Sequence, residues 1–121
     1  MIQNRFRFQD DSIGKKGLKM KKYLLHSKLT AKPDAVNELT AILLEAAEGV
    51  SKVKGCNLYV ISKDEDDKNT IWITEIWDSK EDHDNSLKAE DARALISKAI
   101  PLLKGQPQKG QELEILGGTG I

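Results

Sequence analysis

Two β-rich runs, CNLYVIS (residues 56–62) and TIWITEIW (residues 70–77), flank the charged stretch KDEDDKN, residues 63–69. A connection that short and polar makes an antiparallel hairpin the natural pairing of the two. This hairpin is the feature that most constrains the fold, because the segments around it repeat a single plan. Ahead of it, Tyr23, Leu25, Ser27 and Leu29 alternate with Leu24, His26, Lys28 and Thr30, the period of a strand. Val36, Leu39, Leu43, Ala46, Ala47 and Val50 then recur three or four apart, one apolar stripe along a helix. Pro33 suits the first turn of that helix, with Asp34 and Glu38 near its positive end. After the hairpin, Ser79 followed by Asp82 reads as a capping start. Leu87, Ala92, Leu95, Ile96, Ala99, Leu102 and Leu103 supply a second stripe through a longer helix. Pro101 is expected to bend that helix or end it early. Leu113 and Ile115 alternate with Glu112 and Glu114 in a closing strand. The order βαββαβ predicts an α+β, ferredoxin-like domain, with one antiparallel sheet carrying both helices on one face.

The chain's 121 residues are one domain's worth. The 39% hydrophobic content supplies a core, and no apolar stretch approaches the length of a membrane span. The net charge of zero argues against a nucleic-acid partner. It also hides an asymmetry: residues 1–22 hold seven Lys or Arg against two Asp, a net of plus five, which leaves the remainder at minus five. Such a head can be an arm for an anionic partner. However, it has no hydrophobic period and ends in GKKGLKMKK. The string before Met20 is what a purine-rich ribosome-binding site would give if translated in frame. Residues 1–19 are therefore read as an extension ahead of a natural start at Met20. The domain plan is a basic extension over 1–21, a folded domain over 22–117 and a Gly-rich tail over 118–121. The single cysteine, Cys56, excludes an internal disulfide and any multi-cysteine metal site. No secretory signal is visible, so the expected location is the cytoplasm. The acidic residues of 63–69 lack the glycine and closing glutamate of an EF-hand loop and read as a solvated hairpin tip.

The strands are apolar at both parities: Leu24 beside Leu25, Val60 beside Ile61, Ile71 and Ile73 beside Trp72. A solvated sheet face would alternate with polar residues. The face away from the helices is thus expected to meet a partner, most simply a second copy, giving a homodimer. His26, out of phase with Tyr23, Leu25 and Ser27, belongs on that face.

Gly55, Cys56 and Tyr59 at the second strand, Glu75 and Trp77 ending the third, and Ser79, Glu81 and His83 opening the helix resemble the antibiotic biosynthesis monooxygenase domain in order and spacing. The resemblance spans roughly residues 22–117. It implies a dimeric α+β barrel with a pocket between sheet and helices in each subunit. It also implies oxidation of a small quinol or phenolic aromatic by molecular oxygen, with no metal, flavin or other cofactor. No flavin, nicotinamide or phosphate-binding loop stands against this; the closing Gly117-Gly118-Thr119-Gly120 has no helix after it.

That chemistry needs a proton acceptor and donors to hold an anion in an apolar pocket. His83 is the first candidate for the acceptor, because imidazole ordinarily titrates near neutrality; Glu75 is the second, if burial raises its pKa. The family's commoner His position falls on Ser86, which shares a helix face with His83. Ser27, Tyr59, Trp77 and Ser86 are the expected substrate-binding residues. Glu81, Asp82 and Asp84 surround His83, which suggests an exposed polar turn where substitution costs little stability. A buried Glu75 needs a partner or a raised pKa; capping a helix or bonding Ser27 is the equal alternative, and Cys56 is expected to be a small buried residue. A haem-degrading relative of the fold uses an Asn, a Trp and an axial His, whose positions here hold Ser27, Ser86 and Ile96. None can take that role, so haem breakdown is disfavoured. Two readings remain: the monooxygenase, and a non-catalytic small-molecule binding or detoxification module on the same fold.

Overall fold

A computed structural model describes residues 21–121; the expected extension over 1–19 and start at Met20 lie outside the described residues. The elements in order are β1 (Tyr23–Thr30), α1 (Val36–Val50), β2 (Cys56–Lys63), β3 (Thr70–Trp77), α2 (Lys80–Ser86), α3 (Glu90–Ala99), a 3₁₀ turn (Ile100–Leu102) and β4 (Gln111–Glu114). The sheet order is β2-β3-β1-β4, every pair antiparallel. This is the ferredoxin-like α+β arrangement that the periodicities predict.

β3 is central because its sequence tolerates burial on both faces, alternating β-branched and aromatic residues with little charge. β4, in contrast, is QELE with all four residues exposed, a short charged strand suited to an edge. Ile71, Ile73, Glu75 and Trp77 of β3 pair with Leu29, Ser27, Leu25 and Tyr23 of β1 and face the helices. Leu39 and Leu43 of α1, Ala99 of α3 and Leu103 pack over this layer with Ala31, Ile71 and Ile73 as one core. The end of β1 is tied to the end of the second helical half. Lys32 donates its N–H to the Leu102 carbonyl, and Lys104 to the Thr30 carbonyl, both at 2.8 Å. Those bonds hold Leu103 in the core.

A β-bulge at the start of β2 sets which side chains face the helices. Cys56 pairs with Trp77 and Leu58 with Ile76, so Asn57 is the additional residue. From there Tyr59 and Ile61 point to the helix side, and Tyr59 lies directly across from Glu75. Leu58 and Val60 point the other way. The opposite face carries Leu24, His26, Trp72, Val60 and Leu113, with Val60 43% and Leu113 50% exposed. His26 stacks on Trp72 at 4.7 Å between ring centroids and hydrogen-bonds Thr74 at 3.1 Å. The parity expected for His26 is the one observed.

Two local features depart from the sequence reading. Pro33 is not in the first turn of α1. Asp34 takes a left-handed conformation (φ 68), and the Ala35 N–H closes a turn onto the Lys32 carbonyl, so helical backbone begins only at Val36. The single long second helix is instead two. Asp84, Asn85 and Ser86 are poor helix interior residues, and the Ser86 hydroxyl donates to the His83 carbonyl at 2.6 Å. The backbone then extends at Ala89 before α3. Pro101 does end α3 early, in the 3₁₀ turn. At the hairpin tip, the Asp64 carboxylate accepts the Asp66 and Asp67 N–H groups and the Trp72 indole N–H. These bonds, the indole's first, hold its pKa below the ordinary range.

Candidate functional site

Gly55 and Ser79 position the short helix that carries the histidine. Gly55 ends the α1–β2 turn at φ 92, where a Cβ would come within 2.5 Å of the Asp82 carboxylate. Its carbonyl accepts the Asp78 N–H at 2.8 Å. Ser79 caps α2 by accepting the Asp82 N–H at 3.0 Å. These contacts hold α2 against the end of β3 and direct His83 inward.

His83 is only 8% exposed, packed between the rings of Tyr23 (5.4 Å) and Trp77 (5.9 Å). The sequence reading of an exposed turn residue is therefore corrected. Of its acidic neighbours, Glu81 and Asp84 are exposed and Asp82 lies against Gly55, while the imidazole takes the side that meets the sheet. His83 Nδ1 lies 2.9 Å from Asp84 Oδ1, and Nε2 lies 3.7 Å from Glu75 Oε1. Glu75, 7% exposed, accepts the Trp77 indole N–H at 3.0 Å. It bonds neither a helix terminus nor Ser27. Burial raises the Glu75 pKa, and the Trp77 bond and the His83 ring oppose that rise only in part. Trp77 has no exposed surface: it packs the core and orients the Glu75 carboxylate.

Polar groups continue outward from His83. The Asp84 carboxylate is held below its ordinary range by the His83 bond first and by Lys80 second. Lys80 pairs with Asp84 at 3.1 Å and with Glu112 at 3.5 Å. Tyr23 donates its hydroxyl to Glu112 at 2.8 Å. Burial, and then that acidic neighbour, raise the phenol's pKa so that it stays protonated.

Beside this cluster a cavity of about 290 Å³ opens between the sheet and helices α1 and α3. Its walls are almost wholly apolar, among them Leu29, Ile42, Leu43, Ile73, Leu95 and Leu103. The break between α2 and α3 turns Leu87 and Ala89 into the lining. Tyr59 and Ser86 supply hydroxyls to it. The Ser86 hydroxyl gives its proton to the His83 carbonyl, leaving its oxygen to accept. Tyr59 is kept protonated by burial and by the nearby Glu75 carboxylate, and its hydroxyl has no hydrogen-bond partner among the described residues. It is thus a free donor.

Of the residues singled out from sequence, Tyr59 and Ser86 line the cavity. Glu75, Trp77 and His83 form the adjoining buried cluster behind Tyr59. Ser27 does neither: it packs against the backbone of Gly110, where a Cβ would lie 2.6 Å from its own. Cys56 is half-buried at the edge of the cluster, with its thiol pKa pushed up by burial. Sequence reasoning missed Asp84 and Tyr23 as partners of His83. The Asp directly after the His was the available signal for Asp84. Tyr23 is far away in sequence and offered none.

An antiparallel βαββαβ sheet with an apolar cavity beneath its helices defines a class of small ferredoxin-like proteins. Within that class, residues 23–98 match the family model for antibiotic biosynthesis monooxygenase. A solved structure from Chloroflexus aurantiacus, itself assigned to the antibiotic biosynthesis monooxygenases, is 38% identical with a TM-score of 0.72; the match covers 83% of this chain and 98% of that one. The chain belongs to the antibiotic biosynthesis monooxygenase family. Two more distant structures share the fold. One, from Nitrosomonas europaea, is 16% identical (TM-score 0.77, covering 84% of this chain and 96% of that one). The other, Rv0793 from Mycobacterium tuberculosis, is 18% identical (TM-score 0.73, covering 81% and 98%). No curated protein sequence matches the chain significantly. No helix among the described residues is long and apolar enough to cross a membrane.

Removing His83 is not neutral for this arrangement. His83→Ala leaves Glu75 without its facing ring, and urea unfolding should show a loss of about 1–3 kcal/mol; an unchanged midpoint would contradict the burial. Glu75 gives a pH signature. A carboxyl with a raised folded pKa contributes its full stability below the unfolded value, and loses it as pH climbs through the folded one. Glu75→Gln removes that dependence. The stability difference between wild type and E75Q should therefore move in favour of Gln as pH rises from about 4 toward 8. A difference that stays flat would mean Glu75 titrates as an ordinary surface carboxyl.

Proposed function

We propose that this protein is a cofactor-independent monooxygenase acting on a small quinol or phenolic aromatic. The observation that carries the reading is the apolar cavity whose hydroxyl edge, Tyr59 and Ser86, backs onto the buried Glu75–His83 pair. A hydroquinone ring fits the apolar walls. Its hydroxyl accepts from Tyr59, which leaves the substrate's own proton free to move through a bridging water to the Glu75–His83 pair behind this edge; Ser86 Oγ is a further acceptor in the wall. The Glu75–His83 pair takes up the hydroxyl proton. The resulting phenolate passes one electron to oxygen, and semiquinone and superoxide combine at a ring carbon. The stored proton returns to the peroxide, the ring C–H is lost, and water leaves. One oxygen atom stays on the ring as a hydroxyquinone, and the other departs in water. The predominantly apolar walls favour the uncharged substrate, and the protonated Tyr59 favours the phenolate that forms from it.

Oxygen uptake with a panel of hydroquinones, in metal-free and flavin-free buffer, tests this directly. His83→Ala and Glu75→Gln should each lower the rate by about 10²–10⁴-fold, the usual worth of a positioned acid–base group. Uptake indistinguishable from buffer across the panel would overturn the reading. One observation favours the alternative of a non-catalytic binding module: neither Glu75 nor His83 is among the residues lining the cavity. Saturable binding of a hydroquinone without oxygen uptake is its signature.

The proposal includes assembly as a homodimer through the open sheet face, supported by the exposed Val60 and Leu113 and the His26–Trp72 stack on that face. Light scattering at micromolar concentration should give twice the chain mass, and Leu24→Asp or His26→Asp should lower it. A single-chain mass for the wild type would contradict the assembly.

A further inference from the structure

The buried Glu75 needs a route by which its proton can leave and return, and the geometry around His83 supplies one. Tyr23 and Trp77 pack against the imidazole, one tilted and one edge-on, and its two nitrogens make its polar contacts. One nitrogen meets Glu75, whose side chain is 9% exposed, and the other meets Asp84, whose side chain is 48% exposed. The ring therefore spans from the interior to the solvent edge. We propose that Asp84 is a positioning residue which fixes the tautomer of His83, and that His83 thereby carries a proton between Glu75 and solvent. This rests on the reading above, in which the Glu75–His83 pair behind the cavity edge takes up the substrate's hydroxyl proton.

An ionised carboxylate can only accept. At 2.9 Å from Nδ1, Asp84 requires that nitrogen to bear the hydrogen, leaving the Nε2 lone pair directed at Glu75. The balance closes over one turnover. Glu75 takes the substrate proton and yields it to Nε2, and the imidazolium, held by the Asp84 carboxylate, releases the Nδ1 proton to water. When the peroxide is protonated the transfer reverses: Nε2 returns its proton through Glu75, and Nδ1 regains one from solvent. The tautomer is reset without net proton uptake. The groups facing His83 are Glu75 from β3, Tyr23 from β1 and Asp84 on its own helix; Lys80 of α2 and Glu112 of β4 stand behind Asp84. Tyr23 has its proton committed to Glu112 and does not compete.

The chain has two histidines, so imidazole nitrogen NMR of the labelled protein can be assigned with a His26→Gln variant. Neutral His83 should hold the Nδ1–H tautomer. Asp84→Ala should convert it to a mixture, while Lys80→Met, which removes the ion pair but keeps Asp84, should leave it unchanged. An Nε2–H tautomer in wild type, an unaltered spectrum in Asp84→Ala, or an equal change in Lys80→Met would overturn the assignment. With a hydroquinone that is turned over, Asp84→Ala should lower kcat by about 10–100-fold at unchanged KM, the usual worth of an outer partner that orients an imidazole; an unchanged kcat would overturn the relay. Absence of turnover in wild type with the Nδ1–H tautomer present would refute the monooxygenase reading and leave Asp84 as the tautomer-setting residue.

Discussion

The structure depends on β3, which is hydrogen-bonded on both edges and buried along its helix-facing row. Its two flanks take the hydrogen bonds of β1 and β2, so the sheet cannot form without it. Its helix-facing row runs from pure core to site without a break: Ile71 and Ile73 anchor α1 and α3, then Glu75 and Trp77 meet α2. One alternating strand therefore sets the position of both the hydrophobic layer and the polar cluster. Burial of that row also accounts for the unusual state of Glu75, a carboxyl placed where the geometry of a strand offers it no water.

The cluster shows how such a carboxyl is tolerated. Its oxygen receives the Trp77 indole N–H, and the imidazole stands opposite, with Asp84 on the imidazole's far side. The indole bond serves Glu75 and the Asp84 bond serves His83 Nδ1, while Glu75 and Nε2 face one another at 3.7 Å as an electrostatic contact; the charge is spread toward the edge of α2, where Lys80 and Glu112 meet water. A buried polar network is costly unless its members are satisfied. Here satisfaction comes from four different elements, which ties the geometry of the site to the integrity of the whole sheet. The adjoining cavity follows a different rule: its apolar walls come from helix stripes that do not close completely over the sheet.

Much of this was legible from the residues alone. Period two and period 3.6 succeed one another in the order βαββαβ, and the hairpin tip is marked by its charges. Glu75 and Trp77 were placed on one face by their spacing, and His26 on the other. The reading lost accuracy where local chemistry competed with the pattern. The stripe from Leu87 to Leu103 is continuous in sequence, yet Asp84, Asn85 and Ser86 interrupt the backbone that would carry it. Pro33 is compatible with a helix start, but Asp34 adopts a left-handed turn that defers it to Val36.

The environment of His83 marks the boundary. Its sequence neighbours are acidic, and charge patterning of that kind ordinarily belongs to solvent. What buries it is contact with Tyr23 and Trp77, from two strands that the sequence separates widely from each other. The same holds for the Asn57 bulge, which decides that Tyr59 lies across from Glu75 although strict alternation leaves the pairing open. By itself the sequence determined the order of elements, the apolar rows and the candidate residue types, because periodicity is a property of neighbouring positions. Only the tertiary structure decided which candidates share a buried space, because burial and hydrogen bonding depend on surfaces brought together from distant segments.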